Sequence, residues 1–148
     1  MYISKISLVN YRNFFNTKLL FSHGINTIIG ENGSGKTNLF RAIRLLLDDS
    51  MRRSAMRLEQ KDFCRSLDDW RGHWIIISLE FDDVSQDEAI QSLFLHGVGS
   101  LGDTVVSKAT YNLLFRPKDA VRQSLSLLGA GDVSGLDQIL SKLTIDDY

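Results

Sequence analysis

Eight consecutive residues, Gly30-Glu31-Asn32-Gly33-Ser34-Gly35-Lys36-Thr37, combine the groups that hold a phosphate. Their spacing, glycine, four residues, then Gly-Lys-Thr, is that of a phosphate-binding loop. Glycines reach backbone angles that a Cβ disfavours, and they let main-chain N–H groups close around phosphate oxygens. Lys36 supplies a point charge for the β- and γ-phosphates, and the Thr37 hydroxyl a ligand for Mg²⁺. A helix opening here turns its positive end toward the same anion. The expected ligands are therefore ATP and Mg²⁺. Gly30, Glu31, Asn32, Gly33, Ser34, Gly35, Lys36, Thr37 and the adjoining Asn38 surround them, with Lys36 also the catalytic cation.

Several elements must position that loop. Asn26-Thr27-Ile28-Ile29 before it reads as a short buried strand. After it, Leu39, Ala42, Ile43, Leu46 and Leu47 fall at the spacing of one helix face. Strand, loop and helix in that order are the context such a loop requires. Upstream, residues 2–9 alternate as a strand, with Ile6 and Leu8 on one face and Lys5 and Ser7 on the other. Asn10-Tyr11-Arg12-Asn13-Phe14 reads as a polar-aromatic turn, and residues 15–21 as a second strand with Thr17, Leu19 and Phe21 on one face. Ser22-His23-Gly24 reads as a further turn. These pieces predict an antiparallel hairpin beside the nucleotide core.

Downstream, residues 74–81 alternate as a half-exposed strand, which argues against Asp82 as the Mg²⁺-holding acid of a strand buried on both faces. Residues 85–95 read as a short helix. Gly97-Val98-Gly99-Ser100-Leu101-Gly102 spells a dinucleotide fingerprint but follows a helix and precedes a strand, the reverse of what that site needs. It reads as a hairpin loop. Residues 105–115 form a long strand able to pair with 74–81. Pro117-Lys118-Asp119 starts a helix with Val121, Leu125 and Leu128 apolar, and Leu136, Ile139, Leu140 and Leu143 make a last amphipathic helix. A strand or further segment is expected to begin near Tyr148.

At 148 residues and 43% hydrophobic, the chain is one domain or part of one. A formal charge of −1 gives no global basic field for nucleic acid. Arg41, Arg44, Arg52, Arg53 and Arg57 form either a local DNA-facing patch or a solvated face partly neutralised by Asp48 and Asp49. The single cysteine, Cys64, precludes an internal disulfide and fits a reducing compartment. With no apolar run of leader or membrane length, the expectation is a soluble cytoplasmic chain with no membrane partner.

The N-terminal strand, the Asn10-Tyr11-Arg12-Asn13-Phe14 turn and the 30–37 loop together resemble ABC-type ATPases of DNA maintenance, the SMC and RecF-like proteins. The resemblance implies an α/β fold: a P-loop NTPase core of ABC type, flanked by an antiparallel β-sheet. It also implies that the aromatic-Arg turn lies against the nucleotide, so that Arg12 and Asn13 contact ATP. Read without it, Arg12 is a solvated turn cation. Further segments are similar to the ATPase half of the OLD-family ATP-dependent endonucleases, which include the large subunit of the Gabija anti-phage system. These are Leu45-Leu46-Leu47-Asp48-Asp49-Ser50, Arg52-Arg53-Ser54, Glu59-Gln60-Lys61-Asp62-Phe63, Trp70-Arg71-Gly72 and Leu143-Thr144-Ile145-Asp146-Asp147-Tyr148.

That likeness implies phage defence, with ATP setting the dimer state and gating DNA cleavage elsewhere in a longer homo-oligomeric protein. Residues 1–148 would then be the N-terminal part of its ATPase, without the acid-bearing Walker B strand, the ABC signature or the nuclease. Two other readings stay open. One is an SMC- or RecF-like repair ATPase with no nuclease, and the other a stand-alone nucleotide-binding module that does not hydrolyse ATP.

Overall fold

The computed structural model describes residues 1–51, 53, 57–84 and 107–148. Four strands run Tyr2–Tyr11 (β1), Phe14–Leu20 (β2), Ile75–Asp82 (β3) and Lys108–Phe115 (β4). Each pairs antiparallel with its neighbour in one sheet of order β2-β1-β3-β4. Period-two alternation sorts the faces. Ile6 and Leu8 of β1 and Ile75, Ile77 and Leu79 of β3 are fully buried on one side. On the outer side Lys5 and Glu80, register partners on β1 and β3, form an ion pair.

Helix α1 (Lys36–Leu47) completes the core with Leu39, Ala42 and Leu45. Burying an aliphatic side chain of this size contributes about 1.5–3 kcal/mol, so this two-layer contact is what fixes the helix, and the loop before it, relative to the sheet. The buried stripe differs from the expected one in its last turn. Leu45 is buried, whereas Leu47, at the end of the helix, is 49% exposed.

The 26–29 segment is corrected by the structure. It forms no strand, and its flank is in solvent, with Ile25 99% and Ile29 90% exposed. A strand exists through its neighbour's hydrogen bonds, and no strand among the described residues runs beside this one. Ile28 alone packs against the core. The preceding turn is as expected: Asn26 takes Ser22 N–H at 2.9 Å and returns Nδ2 to Ser22 O at 2.8 Å.

After β4 come helices α2 (Asp119–Ser126) and α3 (Val133–Leu140), which lie against each other. A short 3₁₀ turn, Ile145–Asp147, comes after α3. Tyr148 follows and joins Phe63, Trp70 and Phe115 in an aromatic cluster, with ring centroids 5.3–5.6 Å from Tyr148. Its hydroxyl accepts the Gly72 N–H at 2.8 Å, and burial pushes the phenol up to about 12. Cys64 is buried and free. Asp82 lies 3.3 Å from Lys108 Nζ, consistent with a strand-end ion pair. The expected 85–95 helix, the 97–102 loop, and Arg52 and Ser54 lie outside the described residues. Among the described residues no helix is long and apolar enough to cross a membrane.

Candidate functional site

The loop is closed by its own backbone. Ser34 N–H reaches Glu31 O at 3.2 Å, and Leu39 N–H donates the first helical bond to Gly35 O at 2.9 Å. Gly33 and Gly35 sit at φ +85° and +102°, in the left-handed region. Gly35 caps α1, and no acidic residue occupies the first helical turn, so the positive end of the helix is not neutralised from within. Lys36 Nζ donates to Gly30 O and, at 2.7 Å, to Glu31 O. The ammonium is thus held by the loop whose phosphates it is expected to meet. Glu31, Asn32 and Thr37 are exposed along the same stretch.

The β1–β2 turn is tied to this loop through side-chain amides. Asn13 Nδ2 donates to Ser34 O at 3.3 Å, and Asn38 Nδ2 donates to Asn13 Oδ1 at 2.8 Å. Arg12 Nη1 points to Asn38 Oδ1 at 3.4 Å, and Arg12 Nη2 donates to Asp62 Oδ1 at 2.6 Å. A hydrogen-bonded line therefore runs from Ser34 through Asn13, Asn38 and Arg12 to Asp62. Gly35 is required at the crossing, since a Cβ there would stand 2.0 Å from Asn13 Nδ2.

A separate device holds the turn from behind. β3 pairs with β1 as far as Val9 opposite Ile76; beyond that, the 62–65 segment takes over. Arg12 N–H donates to Asp62 O at 2.8 Å, Cys64 N–H to Asn10 O at 2.9 Å, and Arg65 N–H to Arg12 O at 3.1 Å, with Tyr11 bridged to Phe63. Asn10 and Arg12 both take φ +53° to accept these bonds. Tyr11 between them is fully buried, and burial raises its phenol pKa against the opposing pull of Arg12 and Arg41.

All of the sequence-expected site residues are thus brought into one neighbourhood. Asp62 was missed as a member of it. The only local signal was the Glu59-to-Asp62 spacing, which the structure uses as a reciprocal cap of the Gln60–Asp62 turn. The arginine patch is less available than its count suggested. Arg44 pairs with Asp48 at 2.8 Å, and the Asp48 carboxyl is held below its usual range by hydrogen bonds from Ser50 and Arg44.

The two left-handed glycines make an internal comparison. Gly33→Ala meets nothing within contact range and bears only the backbone cost of a left-handed alanine, about 1–2 kcal/mol. Gly35→Ala bears the same cost and also displaces Asn13. Urea unfolding should show Gly35→Ala as the more damaging of the two. Equal losses would show that the Asn13 contact is not structural.

Comparison with known proteins gives three findings. The model of a family described as AAA ATPase domain matches residues 1–131. The chain is similar to the DNA replication and repair protein RecF of Geobacillus thermodenitrificans, 39% identical over 70 residues, or 47% of this chain and 18% of that protein. RecF of Bacillus pumilus is 43% identical over 65 residues, 44% of this chain and 17% of that one. The matching part of the chain therefore spans under a fifth of these relatives. A solved structure, reported for ATP-driven dimerization and DNA-stimulated activation of SMC ATPases, superposes with a TM-score of 0.53 at 20% identity. It covers 78% of this chain and 64% of that one, a likeness of fold.

Proposed function

Because the chain belongs to the AAA ATPase domain family, we propose that it binds ATP with Mg²⁺ and hydrolyses it as the N-terminal part of a longer ABC-type ATPase of the RecF and SMC kind. The observation that carries this reading is Lys36. Its ammonium is anchored on the Gly30 and Glu31 carbonyls at the mouth of an α-helix with no acid in its first turn.

The residues present fit the ligand. The left-handed Gly33 and Gly35 leave loop N–H groups without side-chain cover. Lys36 is the charge that attracts the β- and γ-phosphates, and the exposed Thr37 hydroxyl is the Mg²⁺ ligand. Mg²⁺ held at Thr37 would supply positive charge to offset the negative charge of the phosphates. Arg12 and Asn13, tied to the loop through Asn38 and Ser34, line the nucleotide from the hairpin side. Glu31, Asn32, Gly33, Ser34 and Gly35 supply the rest of the cradle.

Residues 1–148 are read as the phosphate-loop half of the ATPase. Ile25 and Ile29, almost wholly exposed beside the loop, support this, because they are the side chains a neighbouring core strand would cover. The acid that completes Mg²⁺ binding and the signature that completes hydrolysis are then supplied from outside these residues, in a homo-oligomer acting on DNA.

The finer reading is an OLD-family, ATP-dependent DNA endonuclease of phage defence. Its support is that three of the segments resembling that family, 59–63, 70–72 and 143–148, pack together. Phe63, Trp70 and Tyr148 pack together, and Arg71 Nε reaches Leu143 O at 3.1 Å. The identity with RecF supports the alternative, a repair ATPase without a nuclease.

Phosphate release with Mg²⁺ tests the shared ATPase reading. The longer wild-type protein is expected to exceed its Lys36→Ala variant, and the more so with duplex DNA present. An equal background in both would reduce the chain to a nucleotide-binding module.

A further inference from the structure

We propose that Asp62 is a positioning residue for the nucleotide site. It holds the Arg12 guanidinium in the orientation from which it meets ATP. This rests on the reading of Arg12 as an ATP contact.

Asp62 is only 2% exposed, although it sits in the charged run Glu59-Gln60-Lys61-Asp62. A carboxylate in such a place is tolerated when its oxygens are matched. Both are: Oδ1 accepts Arg12 Nη2 at 2.6 Å, and Oδ2 accepts Glu59 N–H at 3.0 Å. The Asp62 main-chain carbonyl also accepts Arg12 N–H at 2.8 Å. One residue therefore grips Arg12 by backbone and side chain together.

Arg12 needs that grip. Its φ of +53° is a left-handed conformation that an L residue keeps only when its surroundings over-determine it. An ion pair this buried is a weak source of net stability, since desolvation offsets much of the attraction. Orientation explains it better. Arginine has a long, rotamer-rich side chain, and ordering it at the moment of binding lowers affinity. Asp62 orders it beforehand. Asp62 and Asn38 engage one donor each and Nε is buried, so the second hydrogens of Nη1 and Nη2 are the ones left for a ligand. The bond to Asn38 is the longer, at 3.4 Å, so the Nη1 side is the freer to turn to an incoming oxygen while Nη2 stays on Asp62.

The test is a double-mutant cycle in Mg-ATP affinity, by calorimetry on the full chain. It uses wild type, Arg12→Ala, Asp62→Asn and the double variant, each shown to be folded by circular dichroism and thermal unfolding. Each single substitution is expected to weaken binding roughly five- to tenfold, the scale of freezing one long side chain. In the Arg12→Ala background, Asp62→Asn should then change affinity by less than about twofold. A merely structural role would not give that coupling, because general loosening adds to the loss of Arg12.

Wild-type affinity in Arg12→Ala would overturn the Arg12 contact, and the positioning role with it. A weakened Arg12→Ala beside an unaffected Asp62→Asn, or additive losses, would overturn the positioning role and leave the contact standing. If Asp62→Asn does not fold, Asp62→Glu, which keeps the charge and shifts it by one methylene, goes through the same cycle with the same two outcomes.

Discussion

Lys36→Ala is expected to weaken Mg-ATP binding by roughly hundredfold or more, while its unfolding free energy stays within about 0.5 kcal/mol of wild type. The two halves have separate causes. The ammonium is bonded to Gly30 O and Glu31 O at the protein surface, where water replaces a lost donor at little cost. A triphosphate meeting the same loop loses the one lysine it contains. Hydrogen bonds to charged groups contribute about 1.5–3 kcal/mol each, and two phosphate groups share this cation. Calorimetric titration and urea unfolding of the same preparations check both halves. Unchanged affinity would remove the phosphate-loop reading. A large fall in stability would make Lys36 a structural residue.

Ile77→Ala should cost about 2–5 kcal/mol of stability, a large share of the 5–15 kcal/mol typical of a folded domain. Ile77 is fully buried on β3, opposite Leu8 of β1 and Leu113 of β4, and faces the layer closed by α1. Shortening it leaves a cavity in the side-chain layer between the sheet and α1. Leu114→Ala, at a residue 49% exposed on the outer face of β4, is the matched control, and should stay within about 0.5 kcal/mol. Comparable losses at the two positions would show that the inner and outer faces of the sheet are misassigned. Because Arg12 lies just beyond the end of β1, a weakened sheet should also lower nucleotide affinity in proportion to the unfolded fraction.

The sheet was legible because its signal is local and repeats. Ile6 and Leu8, then Ile75, Ile77 and Leu79, alternate with polar or half-exposed neighbours, and a period of two has one structural meaning. Helix α1 was legible for the same reason, though spacing alone did not show that Leu45 would be buried in preference to Leu47. The reading of 26–29 went wrong because an apolar run specifies a strand only in company. Pairing is a property of the neighbour, which the four residues do not encode. In the site, the 30–38 stretch and the Arg12-Asn13 turn could be named, since glycine spacing and a resemblance both point there. Asp62 could not. In sequence it is one more charge in a polar run, and its partner Arg12 lies 50 positions away.

The aromatic cluster has a bearing on that pairing. Phe63 follows Asp62 directly and packs on Trp70, Phe115 and Tyr148. The carboxylate that grips Arg12 is therefore located by rings from as far along the chain as Phe115 and Tyr148. The proposed nucleotide pocket would then not be a portable cassette. A graft of the first fifty residues would carry every glycine and the lysine of the motif, yet leave the arginine without its anchor. The motif proposed to recognise phosphate lies in one short stretch, whereas the pose of the guanidinium is a property of the whole molecule.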